Sequence, residues 1–564
     1  MRLRTLLVPL LSAAALTMGG VTVAAPAAAV APDPAVLGSH TVQTFDYDAG
    51  DTFVTDPTTF ATYPERLEGA IYVPSGTGPF PVLLFMHGRH DTCAVLGVGA
   101  LGPPHVCPDN GVTTNIRSYR GYAYLATNLA SHGYLVISVS ANSINTFDWA
   151  GDAGADERSQ VIARSLDKLG EWNTTAGPGA VGTKLIGKVD LSSIGIMGHS
   201  RGGEGVDHFA AYNKTRTDGP RYTGLKAVFA LAPTDFGAET VQGVHFATLL
   251  PLCDGDVYDL QGSQAYDRGR FLDPSTGFTR AQYTVSGTNH NWFNTVWTGD
   301  DYMDFDGGDP ACTPGDPAST RLTESEQRDI GLTLMASFFR RWVGGETAFT
   351  DLLKGAEPLP ASACPGSATT CPTLVRTSWL GAAADRTIVA TPNAGDNATT
   401  TGGTVTGTGF TTFTRCTPTT SGTGCPTNPT RGLASQFTLK WAGPATLTVP
   451  VSATGYNASG MTALTFRTAM NYADASNASF AGQNFSVVVK DALGATSSVN
   501  AASYTESLRK QAGASDRELT LDGVWIPLSA FSGIDKTKVT SVELRFGTLT
   551  ASGSVQLAEV GFQK

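Results

Sequence analysis

Between Glu65 and about Leu359 the chain repeats one pattern, in which a short, nearly continuous apolar run gives way to an amphipathic or loop stretch. The runs are LEGAIYVP from Leu67, PVLLFMHG from Pro81, YLVISVSAN from Tyr134, SSIGIMG from Ser192, GLKAVFALAP from Gly224, HFATLLPLC from His245 and AQYTVSG from Ala281. Strands that are apolar on both faces must be covered on both faces, and strands alternating with helices build a largely parallel sheet between helical layers. The fold class of this part is therefore α/β. Two helices can be placed directly. YRGYAYLATNLASHG stops at Gly133, a residue suited to ending a helix. Thr323-x-x-Glu326 is a capping box, and it opens a helix carrying Ile330, Leu334, Phe338 and Trp342 on one face.

Beyond Leu359 the composition turns to Thr, Ser, Gly and Ala, and Pro360, Pro365 and Pro372 mark a linker over residues 359–375. From 376 to 564 the segments FTLKWAGPATLTVPV, MTALTFRTAM, QNFSVVVKDA, RELTLDGVWIPL, KVTSVELRFGTL and GSVQLAEVGF read as antiparallel strands, which predicts an all-β sandwich. A chain of 564 residues exceeds what one core usually serves. The expected organisation is an α/β domain over residues 32–358, a linker over 359–375, and a β-sandwich accessory domain over 376–564.

Residues 1–31, MRLRTLLVPLLSAAALTMGGVTVAAPAAAVA, combine Arg2 and Arg4, an apolar run broken by Pro9 and Gly19-Gly20, and A-x-A sites, the pattern of a secretory signal peptide rather than an anchor. Export fits the even count of 8 cysteines. Neighbours in sequence make the expected disulfides, Cys93 with Cys107, Cys253 with Cys312, Cys364 with Cys371, and Cys416 with Cys425; no C-x-x-C pair suggests zinc. The net charge of −11 becomes more negative once the signal leaves, which opposes nucleic-acid or anionic-membrane partners. No later stretch is apolar enough to span a bilayer, and the expected location is extracellular.

The chemistry concentrates in SSIGIMGHSRGGEG. A nucleophilic serine sits on a sharp strand-to-helix turn that admits only small residues two positions away on either side, and Gly198 and Gly202 flank Ser200 in that way. The bland alternative is a glycine-rich turn, but the strand before it and the helix-competent stretch after it favour the nucleophile. The backbone N–H of Arg201, at the start of that helix, is a candidate oxyanion donor. The second candidate is the N–H of Arg89, in His87-Gly88-Arg89 at the end of PVLLFMHG. His87 is read as a brace for this loop.

With HGR followed by GHSRG, an aspartate and a histidine, the region from Glu65 to Phe349 resembles the α/β-hydrolase superfamily; MHGRHDTC, GHSRGGEGV, CDGDVYDLQG and NHNWFNTVW are similar to secreted bacterial serine hydrolases of the esterase or lipase type. The resemblance implies a catalytic acid after a late strand. Asp254 is preferred, with Asp256 and Asp235 kept open. It also implies a general base after the last strand, where His290 stands, so the expected triad is Ser200, Asp254 and His290. His199, His132 and His208 are assigned structural roles.

Other residues carry competing readings. Arg201 and Glu204 either steer substrate or pair with each other; Trp292, Phe293 and Trp297 line a pocket or fill the core; and Asp300, Asp301, Asp304, Asp306 and Asp309 form a solvated acidic loop rather than a calcium site. The substrate expectation is a carboxylic ester of a small molecule, lipid or polymer, with an amide or peptide as the alternative. No cofactor or metal is called for. A reading from another class makes the chain an inactive hydrolase-fold protein that binds carbohydrate or a surface. The last strands, VWIPLSAFSGIDKTKVTSVELRFGTLTASGSVQLAEVGF, loosely resemble jelly-roll carbohydrate-binding modules, which implies polysaccharide or surface contact. Trp441 and Trp525 discriminate: exposed on a flat face they would favour binding, buried they would favour a rigid lobe.

Overall fold

In the computed structural model the apolar runs become the middle of a nine-stranded sheet. The strands are β1 (Val42–Thr55), β2 (Thr62–Pro74), β3 (Phe80–Met86), β4 (Leu135–Val139), β5 (Val189–His199), β6 (Leu225–Leu231), β7 (His245–Pro251), β8 (Arg280–Val285) and β9 (Val375–Leu380). Their order across the sheet is β1-β2-β4-β3-β5-β6-β7-β8-β9. The strands from β4 through β3 to β8 run parallel, while β1, β2 and β9 are antiparallel at the two margins. The structure describes residues 31–564 except 96–98, 103–106, 109, 147–150, 273–276, 303–309, 393–395, 419–424, 426–431, 473, 478–481 and 510–519. The signal segment expected at the start therefore lies outside the described residues, apart from Ala31.

Side-chain alternation divides the core into two layers. Val82, Leu84 and Met86 of β3 join one apolar cluster with residues of α2 (Ala155–Trp172) and α3 (Arg201–Thr215), including Val161, Leu166, Val206 and Phe209. Leu83 and Phe85 join the opposite cluster with α1 (Ala123–Ser131) and α5 (Glu324–Trp342), including Leu125, Leu129, Leu334 and Phe338. Helix α5 starts on its capping box, with the Glu326 N–H donating to Thr323 Oγ1 at 3.3 Å and the Thr323 N–H to Glu326 Oε2 at 2.9 Å. The four disulfides join the neighbouring cysteines. Among the described residues no helix is long and apolar enough to cross a membrane.

Two strands of this sheet were not anticipated. VQTFDYDAGDTFVT is largely polar because β1 is a marginal strand, and it pairs with β2 from Val42 opposite Pro74 onward. The segment 359–375 is not a free tether. It contains short helical turns and the Cys364–Cys371 bridge, and at Val375 it enters β9, which pairs with β8 from Val285 back to Arg280. The boundary drawn at 375/376 thus cuts a strand of the first sheet.

From Arg386 onward two antiparallel sheets of six and five strands pack face to face. Phe437, Leu439, Trp441 and Leu557 of one sheet and Leu447, Val449, Val542 and Leu544 of the other share one apolar core. The junction with the α/β part is polar and buried. Asp267, on α4 (Gly262–Arg268), accepts from Arg467 at 2.5 Å and from the Leu433 and Ala434 N–H groups at 2.7 and 3.0 Å. Asp522 accepts from Gln282 and Thr284 of β8 at 3.2 and 2.9 Å. Burial works against charge at Asp267, but Arg270 and Arg467 hold its carboxyl below the ordinary value. Replacing Arg467 by Ala leaves that carboxylate with one fewer cation in a dry interface, and should cost about 3 kcal/mol in denaturant unfolding; Lys should recover part of the loss.

Candidate active site

Strand β5 ends at His199 and α3 begins at Arg201, so Ser200 occupies the whole turn, at φ 59° and ψ −127°. A non-glycine residue in this region is strained, and such strain persists only where the surroundings over-determine it. Here the Ser200 N–H donates to the Leu231 carbonyl at the end of β6 (2.9 Å), and the Ser200 carbonyl accepts the Gly203 N–H (2.8 Å). A methyl on Gly198 would overlap the Gly202 carbonyl, and one on Gly202 would sit 2.6 Å from the Met86 oxygen. Both glycines are required by close backbone approach. Gly88 is a third: its hypothetical Cβ would lie 2.5 Å from Ser200 Cβ, so the loop after β3, in which Arg89 is the next residue, runs directly beside the serine at Gly88. His87 braces that loop. Its Nδ1 donates to the Gly88 oxygen (2.9 Å), and its Nε2 accepts the Ala141 N–H (2.8 Å). Burial lowers its pKa to about 3, which fits a neutral ring.

The three candidate acids separate clearly. Asp254, in the turn after β7, places Oδ2 2.9 Å from His290 Nδ1, while its Oδ1 accepts the Asp256 and Val257 N–H groups at 3.0 and 2.6 Å. Asp235 instead ion-pairs with Arg268 on α4. Asp256 projects into solvent, with its side chain 66% exposed, and stands 3.7 Å from the other ring nitrogen, Nε2. His290 is 1% exposed, and its Nε2 has no hydrogen-bond partner among the described residues. Desolvation disfavours a charged His290, but Asp254 above all, then Asp256 and Asp301, outweigh it and raise its pKa to about 9; burial pushes the Asp254 carboxyl up, to about 6.

The walls around this pair consist of rings. His199 is fully buried, bonds the Tyr122 hydroxyl through Nδ1 at 3.0 Å, and has its centroid 4.9 Å from that of His290. Trp297 lies parallel to His290 (6.4 Å, 6°) and stacks on His90 (5.2 Å, 5°), with its indole N–H donating to Ser118 Oγ. Of the residues read as pocket or core, Phe293 and Trp297 are core, and Trp292 lies under Arg321. Glu204 turns to the loop after β6, accepting from Thr234 Oγ1 and the Gly237 N–H, and burial raises its pKa to about 7. His208, on α3, ion-pairs with Asp156, and the donor atoms of His208, Asp156 and Asp152 lie within 4.8 Å of one another.

The acidic loop departs from its expected form where it is described. Asp300 accepts from Asn289 Nδ2 and Arg321, and Asp301 accepts backbone N–H groups from Gly255, His290 and Asn291. These two carboxylates are bound, not solvated; Asp304, Asp306 and Asp309 lie outside the described residues. The sequence signal for Asp301 was hidden, because nothing in an Asp-rich run marks which carboxylate folds back.

A parallel sheet covered on both faces, with a strained serine after its fifth strand and an Asp–His pair after its seventh and eighth, has the architecture of an α/β-hydrolase. The chain is similar over residues 112–295 to the PETase family, described as PET hydrolase-like. No curated protein matches the chain. The matched span runs from before α1 to just past His290 and supports an ester-cleaving hydrolase in general.

Two outcomes test the geometry. For a reaction in which His290 is the base, which must be neutral to accept a proton, its raised pKa places the acid limb of kcat/KM on a neutral ester above about pH 6.5. Asp256→Asn removes a negative charge beside Nε2 and should move that limb to lower pH; a limb that stays put would exclude the interaction. Gly88→Ala forces a methyl into Ser200 and should lower kcat/KM by about 100-fold or more, read in parallel with circular dichroism to show that the fold is kept.

Proposed function

We propose that the protein is a secreted serine hydrolase that cleaves carboxylic esters through Ser200, His290 and Asp254. The observation that carries this reading is the 2.9 Å bond between Asp254 and His290 Nδ1, which leaves Nε2 without a partner among the described residues, alongside a serine held in a strained strand-to-helix turn. In the reaction, Ser200 Oγ attacks the ester carbonyl carbon as His290 Nε2 takes its proton. Asp254 fixes the Nδ1–H tautomer and stabilises the imidazolium. The N–H groups of Arg89 and Arg201 receive the developing oxyanion, each such donor contributing about 100- to 1000-fold in rate. Collapse expels the alcohol, which takes the proton back from His290. Water then attacks the acyl-enzyme by the same route, releasing the acid and restoring Ser200.

Two exposed aromatic side chains, Phe236 in the loop after β6 and Tyr258 in the acid loop, stand at the same end of the sheet, each 51% exposed. With the family match they support an extended apolar or aromatic ester, such as a polyester, as the substrate class. The β-sandwich is assigned the role of a rigid lobe. Trp441 is fully buried and Trp525 is half-buried beneath Lys354, so neither forms an open binding face. Export is supported by the signal-like start and the four disulfides.

A fluorophosphonate probe should label the mature protein at Ser200, located by mass spectrometry, and Ser200→Ala should abolish labelling and lower p-nitrophenyl ester turnover by about a million-fold. A folded wild type that stays unlabelled would overturn the reading. Turnover of anilides above that of matched esters would replace the ester by the amide.

A further inference from the structure

We infer that Asp301 is a positioning residue for the hydrolytic centre, a carboxylate that locks the acid loop and the base loop to each other. The inference rests on the triad reading above. Asp254 and His290 come from different strands, β7 and β8, and their loops leave the sheet separately, so a mutual hydrogen bond of one side-chain pair is all that the triad itself provides between them. Asp301 joins the backbones. Its Oδ2 accepts the Gly255 N–H at 2.8 Å, one residue past Asp254, and the His290 N–H at 3.1 Å; its Oδ1 accepts the Asn291 N–H at 2.9 Å. A methyl on Gly255 would overlap the Asp301 carbonyl, so the two segments are also in backbone contact.

The rest of the base loop is tied down around this point. The Asn289 N–H donates to Gln327 Oε1 of α5 at 2.9 Å, and Gln327 Nε2 returns a bond to the Asn289 carbonyl at 2.8 Å. The Cys253 N–H bonds the Thr288 carbonyl at 2.8 Å, and Cys253 is bridged to Cys312. These bonds leave the N–H groups of Gly255, His290 and Asn291 to Asp301, which takes all three and so holds the residue after Asp254 against His290 itself. A carboxylate suits the task because it is acceptor-only and can take several N–H groups at once. An asparagine would turn a donor toward one of them.

Asp301 also acts through charge. The ionisable groups facing His290 are Asp254, Asp256 and Asp301, with His199 on the elbow side. Removing Asp301 withdraws one of the three negative charges that favour the imidazolium, while loosening the loop lets the Asp254–His290 bond lengthen. Both effects lower the His290 pKa, and the second also lowers kcat.

The experiment uses the full mature chain, with active sites titrated by fluorophosphonate. Asp301→Asn should lower kcat by on the order of 10- to 100-fold with little change in KM, shift the acid limb to lower pH, and shift the His290 ring titration followed by NMR in the same direction; Asp301→Glu should recover part of kcat. Unchanged kcat per titrated site and an unmoved His290 titration, with only a lower melting temperature, would overturn the inference. Should the variants not fold, hydrogen exchange on the wild type decides. Amides of Gly255, His290 and Asn291 that are protected and open together support the lock, and independent fast exchange refutes it. Because the NMR and exchange readouts need no turnover, a wild type without esterase activity would sink the proposed function while leaving the lock separately measurable.

Discussion

Burial of the central parallel strands on both faces is the constraint from which the rest of the molecule follows. Val82 through Met86 and Leu135 through Ile137 are wholly inaccessible, with their side chains divided between two apolar layers. Helices cover both faces, so a polar reacting group can reach substrate only where a strand ends and a loop begins. Ser200, Asp254 and His290 all stand at carboxyl ends of strands, where crossover loops are free to carry chemistry. Even the strain at Ser200 depends on this packing. Gly202 must pass against the β3 carbonyls and the Ser200 N–H must reach Leu231 of β6, and rigid neighbouring strands are what hold a left-handed serine in place.

Electrostatically, the centre is a buried imidazole surrounded by carboxylates placed at different distances and exposures. Asp254 touches Nδ1 directly and is fully enclosed, which makes it the strongest influence; Asp256 approaches Nε2 from solvent and is screened. Asp301 reaches the backbone rather than the ring. His199 and His87 are kept neutral by burial, so although four histidines, His87, His90, His199 and His290, stand at the ends of β3, β5 and β8, only His290 among them has carboxylates that favour its charge enough to raise its pKa. Which ring favours the charged form is thus a matter of which ring the carboxylates face.

The sequence carried the sheet and the elbow because both depend on local, repetitive physics. Apolar runs of five to seven residues can hardly be anything but covered strands, and a serine between glycines at a strand end announces its turn. The carboxylate that bonds His290 was legible only as a choice among Asp235, Asp254 and Asp256, since three aspartates near strand ends look alike until the fold shows that Arg268 engages one and solvent another. Strand β1 was missed because a margin can be polar. Strand β9 was missed because proline and serine around Cys364 and Cys371 read as a linker, while what places Val375–Leu380 is a partner strand some ninety residues earlier. Asp301 was misread for the same reason: its partners are loop amides that no pattern in the chain connects to it.

That ninth strand explains why the β-sandwich is attached as it is. Leaving the sheet from β9, the chain is carried straight into the second core, and Asp522 and Arg467 from the sandwich meet Thr284 and Asp267 from the hydrolase side in a dry seam. An apolar seam would have allowed many docking angles, whereas an aspartate receiving two backbone N–H groups and a guanidinium accepts only one. Buried ionic contacts of this kind add little to stability compared with hydrocarbon packing but can select a single arrangement. For Asp267 and Arg467 that selection fixes the lobe against α4 and the β7–β8 side of the sheet, the side from which the acid and base loops emerge. The lobe thereby backs α4 and the strand whose end holds His290.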